Sequence, residues 1–283
     1  MIANSETTQC TPTTGHAVDV IAAEALAALD SGDQIPPFSG RDASFDLERA
    51  YAVTAALRRL RTARGETHIG RKIGFTNRTI WAEYGVYAPI WGDMYDSTVH
   101  AVTHGAAFAL GRMAEPRIEP EIAFKLKAAP APGMDAAALL GTIEWLAHGF
   151  EIVTSIFPGW QFSAADVVAG GGVHGALLLG PAQTVDPRQV ADLARALETF
   201  EITLERNDVA ADRGQAANVL GGPLHALRHL VDLLAHDRLN PPLRAGEIVT
   251  TGTLTRALPI AAGERWTTAL AGIALDGLAV RFE

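Results

Sequence analysis

Cysteine is all but absent from this chain, with Cys10 the only one. A lone thiol excludes an intramolecular disulfide and a thiolate cage for zinc or an iron–sulfur cluster, and it fits a reducing compartment. Long apolar runs are missing too: stretches such as 136–140 and 175–179 fall far short of the about 20 residues a membrane-spanning helix needs. Residues 1–16 are rich in Thr and Ser but have neither a basic start nor an apolar core, so they do not read as a secretory signal, and a flexible tail is expected there. Basic residues are in the minority, 23 Lys+Arg against 32 Asp+Glu for a formal charge of −9, and form no stripe that could track phosphates. This argues against nucleic acid as a partner. There is no repeat of fixed period and no low-complexity segment. What remains is a cytoplasmic, soluble chain of 283 residues, 48% hydrophobic, able to bury a substantial core.

The first 100 residues read as largely helical. Ile21, Ala25 and Leu29 share one face of a helix over 18–29 that stops at Ser31-Gly32. A second helix is capped by Ser44, carries Asp46 and Glu48 in its first turn, and ends in Arg58, Arg59, Arg61 and Arg64 before Gly65, a distribution that matches the helix dipole. Ile35 to Gly40 reads as a linker between them. From His68 the pattern changes to short apolar strands punctuated by glycine and proline, with helices expected only over 79–84, 135–148, 187–197 and 225–235. The expectation is an α+β protein: a tail over 1–16, a helical N-terminal portion over 17–100 and a mixed, β-rich portion over 101–283.

Glu119 and Glu121, in Arg117-Ile118-Glu119-Pro120-Glu121-Ile122-Ala123-Phe124, lie two residues apart in an apolar run that reads as a strand. Alternation aims both carboxylates into one space, where neither stays ionised at low cost without a cation or donors opposite. Glu151, in Gly149-Phe150-Glu151-Ile152-Val153, is a third acid in a similar setting. Three such groups make an oxygen-only cage suited to magnesium, manganese or calcium, although a Glu-x-Glu pair on an edge strand is often no more than a solvated face.

The segments Gly70-Arg71-Lys72-Ile73-Gly74-Phe75-Thr76, Tyr84-Gly85-Val86, Ile90-Trp91-Gly92, Arg117 to Glu121, Val219 to Leu224 and Gly246 to Thr253 together resemble the 2-keto-4-pentenoate hydratase and 4-oxalocrotonate decarboxylase family of the fumarylacetoacetate hydrolase superfamily. The resemblance spans roughly residues 18–270. It implies the β-rich roll of the fumarylacetoacetate hydrolase C-terminal type, Mg2+ or Mn2+ on Glu119, Glu121 and Glu151, and a homo-oligomer. Catalytic roles fall on Lys72 and Asp166, and a substrate contact on the turn Thr251-Gly252-Thr253. Beside what the resemblance implies, Tyr87 and His174 are catalytic candidates by their own chemistry, His174 equally a structural donor, and Trp91, close to the motifs, is either part of an aromatic wall around the substrate or core packing. The implied activity is that of a metal-dependent lyase, a hydratase or decarboxylase acting on an unsaturated 2-oxo or 2-hydroxydienoate carboxylic acid through a metal-stabilised enolate, as in aromatic catabolism. Here Tyr87 stands where the family's hydratases have an acid, and Val173 where they have a serine. Those departures leave two alternatives open: a hydrolase of a 1,3-dicarbonyl acid, and a catalytically silent subunit. Plain strand-end turn for 251–253, and a turn cap for Asp166, are the ordinary readings of those residues.

Overall fold

The computed structural model describes residues 14–283, so Cys10 and most of the expected tail lie outside the described residues. Helix α1 (Thr14–Ser31) begins inside that tail segment and packs on α3 (Leu47–Ala63) through Ala22, Ala25 and Ala28 against Ala50, Val53 and Ala56, small side chains that let the two backbones approach. Asp46 caps α3, accepting from Arg49 N at 3.0 Å, whereas the Ser44 hydroxyl donates to Asp42 instead. The expected linker holds a short helix α2 (Phe38–Arg41), because Phe38 is buried edge-on against Phe157 and pins the segment down.

Strands then dominate: β1 (His68–Gly74), β2 (Ile90–Tyr95) after the short α4 (Trp81–Tyr84), β3 (Val99–Ala101), β4 (Ala106–Phe108) and β5 (Arg117–Leu126). The chain continues through α5 (Ala136–Thr142), β6 (Ile143–Val153), α6 (Ala164–Ala169), β7 (His174–Thr184), α7 (Val190–Thr199), β8 (Glu201–Arg206), β9 (Val209–Gln215) and α8 (Pro223–Ala235). It closes with β10 (Ile248–Thr250), β11 (Leu258–Pro259), β12 (Arg265–Ala271) and β13 (Ala279–Phe282). Eight strands form one mixed sheet in the order β2-β1-β10-β5-β6-β7-β3 with β11 beside β5, and five form a second, β4-β13-β12-β8-β9. β1 and β2, inside the portion expected to be helical, are part of the main sheet.

The helix expected over 135–148 is half right. Asp135 caps α5, but the helix stops at Thr142 and Ile143–Val153 is strand, pairing along the whole of β5. Leu139, Leu140, Ile143 and Leu146 satisfy a helical period, yet ladders with β5 on one side and β7 on the other pair the backbone of the segment and override it. β5 itself tolerates Pro120 because β10 pairs only with 123–125 and β11 only with 117–118, which leaves a gap on the side where the missing N–H would point.

The sheet's two faces part company. On one face of β5 and β6, Ile122, Phe124 and Leu126 pack under α5, α7 and α8, and farther along that same face Ile118, Phe150 and Ile152 meet Leu204, Trp266 and Val280 of the second sheet. The other face of β5 and β6 carries the acids. No described helix is long and apolar enough to cross a membrane.

His148 ties the two sheets together: its Nδ1–H donates to Glu121 O at 3.0 Å and its Nε2 accepts from the Thr268 hydroxyl at 2.8 Å. Burial pulls its pKa from 6.5 down to about 4, so the neutral ring stabilises the fold above 6.5 and that contribution is lost as pH falls through 4. In urea denaturation, the stability difference between wild type and His148→Phe should therefore shrink by up to about 3 kcal/mol between pH 6.5 and 4; a pH-independent difference would show that His148 titrates normally.

Candidate metal centre

The β5–β6 register sets Glu119 directly opposite Glu151, and strand alternation puts Glu121 on the same face. One oxygen from each carboxylate lies within 4.8 Å of the others, with Glu121 and Glu151 buried and Glu119 half-buried. The gap beside Pro120 admits the turn after β10, where Gly252 N donates to Glu121 Oε2 at 2.8 Å. Only glycine serves there: its φ is +92°, and a Cβ would sit 1.8 Å from Thr76 Oγ1. Glu121 Oε1 and Glu151 Oε2 are buried without a hydrogen-bond partner.

Lys72 projects from β1 into the same space, its Nζ 3.3 Å from Glu151 Oε2 and donating to Gly172 O at 3.1 Å. His174 closes the far side of Glu151, with Nδ1 2.8 Å from Oε1 and Nε2 2.9 Å from Thr98 Oγ1. That aim results from Gly171, Gly172 and Val173 all having positive φ, a bend that turns His174 inward and leaves Val173 packed in the helical core.

Burial pushes Glu119 and Glu121 well above the ordinary glutamate pKa of 4.5, with the neighbouring carboxylates adding to it and Lys72 opposing it. Glu151 is raised by burial too, less so because Lys72 is beside it. For Lys72, burial favours the neutral amine, but Glu151, Glu119 and Glu121 outweigh it and hold the ammonium. His174 is driven down to about 3, chiefly by burial and then by Lys72, so it is neutral and donates to Glu151. Three carboxylates facing one ammonium leave a deficit of two positive charges. A Glu121 oxygen with no partner, a Glu151 oxygen faced by Lys72 without a hydrogen bond and an all-oxygen donor set fit one hard divalent cation.

Residues 94–275 match the fumarylacetoacetate hydrolase C-terminal family model. The chain is 32% identical to 2-hydroxyhexa-2,4-dienoate hydratase of Comamonas testosteroni over 87% of its length and 90% of that protein's. It is 30% identical to 4-oxalocrotonate decarboxylase of Pseudomonas sp. strain CF600, again over 87% and 90%. In three dimensions it resembles 4-oxalocrotonate decarboxylase from Pseudomonas putida G7, solved with magnesium and adipate, with a TM-score of 0.85 at 27% identity over 96% of this chain and 99% of that one. The chain belongs to the 2-keto-4-pentenoate hydratase and 4-oxalocrotonate decarboxylase family. Its architecture is that family's fumarylacetoacetate hydrolase fold.

Not every candidate site residue meets the cage. Asp166 accepts from Ser39 N and Oγ and from Ser163 N and Oγ at 2.5–2.8 Å, capping α6 and tying it to α2. Trp91 pairs with Ile73 while Lys72 pairs with Gly92, so Trp91 lies on the opposite side of the sheet, stacked on Tyr51 at 4.9 Å. Tyr87 is 65% exposed, edge-on to Trp81. The Thr251 and Thr253 hydroxyls donate to Ile122 O and Thr255 O, so of that turn it is Gly252 that touches a carboxylate.

Two family-site neighbours escaped the sequence reading. Arg117 shares the face of Glu119 and Glu121, donates to the Tyr84 hydroxyl at 2.6 Å and lies 4.4 Å over Trp160. Its place in the i, i+2, i+4 series 117-119-121 was the available signal. Thr250 follows Arg71–Val249 in the β1–β10 register, beside Lys72, and its hydroxyl is buried without a partner.

Without metal, each raised carboxyl favours the folded state fully below 4.5 and withdraws that stability as pH rises through its native value. The gain in thermal midpoint from saturating magnesium should grow as pH rises above 4.5. In calorimetric titration Glu121→Gln should lose about 100-fold or more in affinity for the cation, while Asp166→Ala should bind it normally but unfold about 3 kcal/mol more easily. Unchanged affinity in Glu121→Gln would remove that residue from the ligand set.

Proposed function

We propose that the protein is a divalent-metal-dependent lyase, a hydratase or decarboxylase acting on an unsaturated 2-oxo or 2-hydroxydienoate acid, with magnesium or manganese held by Glu119, Glu121 and Glu151. The observation that carries this reading is the buried three-carboxylate face with Lys72 at its edge. Its relatives named as hydratases and as a decarboxylase span most of the chain. A homo-oligomer belongs to the same reading by relationship alone.

A divalent cation held by Glu119, Glu121 and Glu151 would supply Lewis acidity for negative charge developing on the substrate's C2 oxygen. Lys72 keeps its proton and has three N–H bonds. One goes to Gly172 O and one faces Glu151, which leaves the third for a substrate oxygen or for proton delivery to the conjugated chain. His174 fixes the rotamer of Glu151 and, neutral at ordinary pH with both ring nitrogens engaged, is a poor base for activating water. This counts against the dicarbonyl hydrolase reading, which needs such a base.

Arg117 and Tyr84 extend the site beyond Glu119. Burial pushes the Tyr84 phenol up to about 12, so it stays a neutral donor or acceptor, and Arg117 keeps donors in hand for a second carboxylate at the substrate's far end. The aromatic group of Tyr84, Trp160 and Phe162 forms an apolar wall beside it.

Lys72→Met should bind metal with near-native affinity yet lose about 10²-fold to 10⁴-fold in turnover of 2-hydroxypenta-2,4-dienoate or a 2-hydroxymuconate-type acid. The readout is loss of the dienol absorbance, with mass analysis to separate gain of water from loss of carbon dioxide. Wild-type protein that binds metal but turns over neither class would contradict the lyase.

A further inference from the structure

Strand alternation sends Arg71 out of the face of β1 opposite to Lys72, into a cavity of about 380 Å³ between β1 and the segment before β10. Arg58, Arg71, Arg244 and His68 line it, with Glu247 on its floor. Arg71 is 1% exposed, and its Nε and Nη1 have no hydrogen-bond partner. It stands 3.7 Å from Asp93 and 3.6 Å from Glu247, bonded to neither, with its guanidinium over Trp91 at 5.4 Å. Asp93 is already taken, receiving a two-point contact from Arg58 at 2.8 and 2.9 Å and lying 3.0 Å from His68 Nε2. Glu247 Oε2 is likewise without a partner, while its Oε1 accepts from Arg244 N.

Three guanidinium groups thus share two carboxylates, which leaves one uncompensated positive charge. Buried polar donors are almost always hydrogen-bonded, and an arginine fork that stands at ion-pair distance from two acids with its Nε–H and Nη1–H donors unbonded is a ready receptor for a planar or tetrahedral oxyanion. A structural ion-pair network has no need of the open volume, nor of Arg244, whose side chain forms no ion pair among the described residues.

We propose that this cavity is a second anion site, separate from the carboxylate cage, that takes a small oxyanion with two or more negative charges, a phosphate or a dicarboxylate, on Arg71 and Arg244. The site lies back to back with the lysine of the cage, since Arg71 and Lys72 are consecutive on β1 and leave from opposite faces.

The test is thermal unfolding of the full-length protein in chelator at constant ionic strength, titrated separately with inorganic phosphate and with succinate. Wild type should show a saturable rise of about 2–4 °C with at least one anion. Arg71 sits in a buried network and its replacement risks the fold, so the exposed Arg244 is the residue to change. Arg244→Ala should lose more than half of the rise, and Lys72→Ala should keep it, which separates this cavity from the metal site. Phosphate alone or succinate alone assigns the ligand class, and both together assign a general oxyanion site. No rise with either anion, a rise kept in full by Arg244→Ala, or a rise lost in Lys72→Ala overturns the proposal.

Discussion

Three carboxylates on one face of an antiparallel ladder cannot all be ionised in a buried space unless positive charge is brought to them, and much of this structure is organised around that requirement. β1 contributes one charge through Lys72, the turn after β10 contributes a backbone N–H through Gly252, and His174 contributes a ring N–H. These still leave two charges uncovered, and a divalent cation supplies that number. The raised carboxyl pKa values and the Glu121 and Glu151 oxygens without a hydrogen bond are two expressions of the same deficit.

Rigidity of the scaffold follows from how the acids are carried. They sit within the longest ladder among the described residues, not on loops, and their backbone is braced from behind by His148, which bonds the main chain of Glu121 to the second sheet. The segments that must bend to reach the cage do so at Gly252 and at Gly171-Gly172-Val173, where the backbone enters conformations that β-branched Val173 adopts only at a cost. Function is thus bought with local strain set against a large apolar core on the sheet's opposite face.

The acids at 119 and 121 were legible in sequence because a period of two is a local property of a strand. Glu151 was legible as a candidate, but its position across from Glu119 depends on register, which no local pattern encodes. Where helical and strand periods coincided, as over 143–148, the partner strand decided, and local residues could not. Asp166 was drawn toward the site by likeness to relatives, and Trp91 by its place beside the motifs. Their surroundings in this chain, Ser39 and Ser163 for one and Tyr51 for the other, were set by distant segments. Arg117 was readable by the same alternation that singled out the glutamates.

The most direct measurement is solvent-deuterium exchange at C3 of 2-oxopentanoate, followed by proton NMR, because this analogue can enolise but can neither take up water nor lose carbon dioxide from a vinylogous position. Protein with magnesium should speed the loss of the C3 proton signal, and chelator or Glu121→Gln should return it to the uncatalysed rate. Metal-loaded protein that binds the acid yet leaves the C3 protons unexchanged would contradict a centre built to stabilise charge at the C2 oxygen.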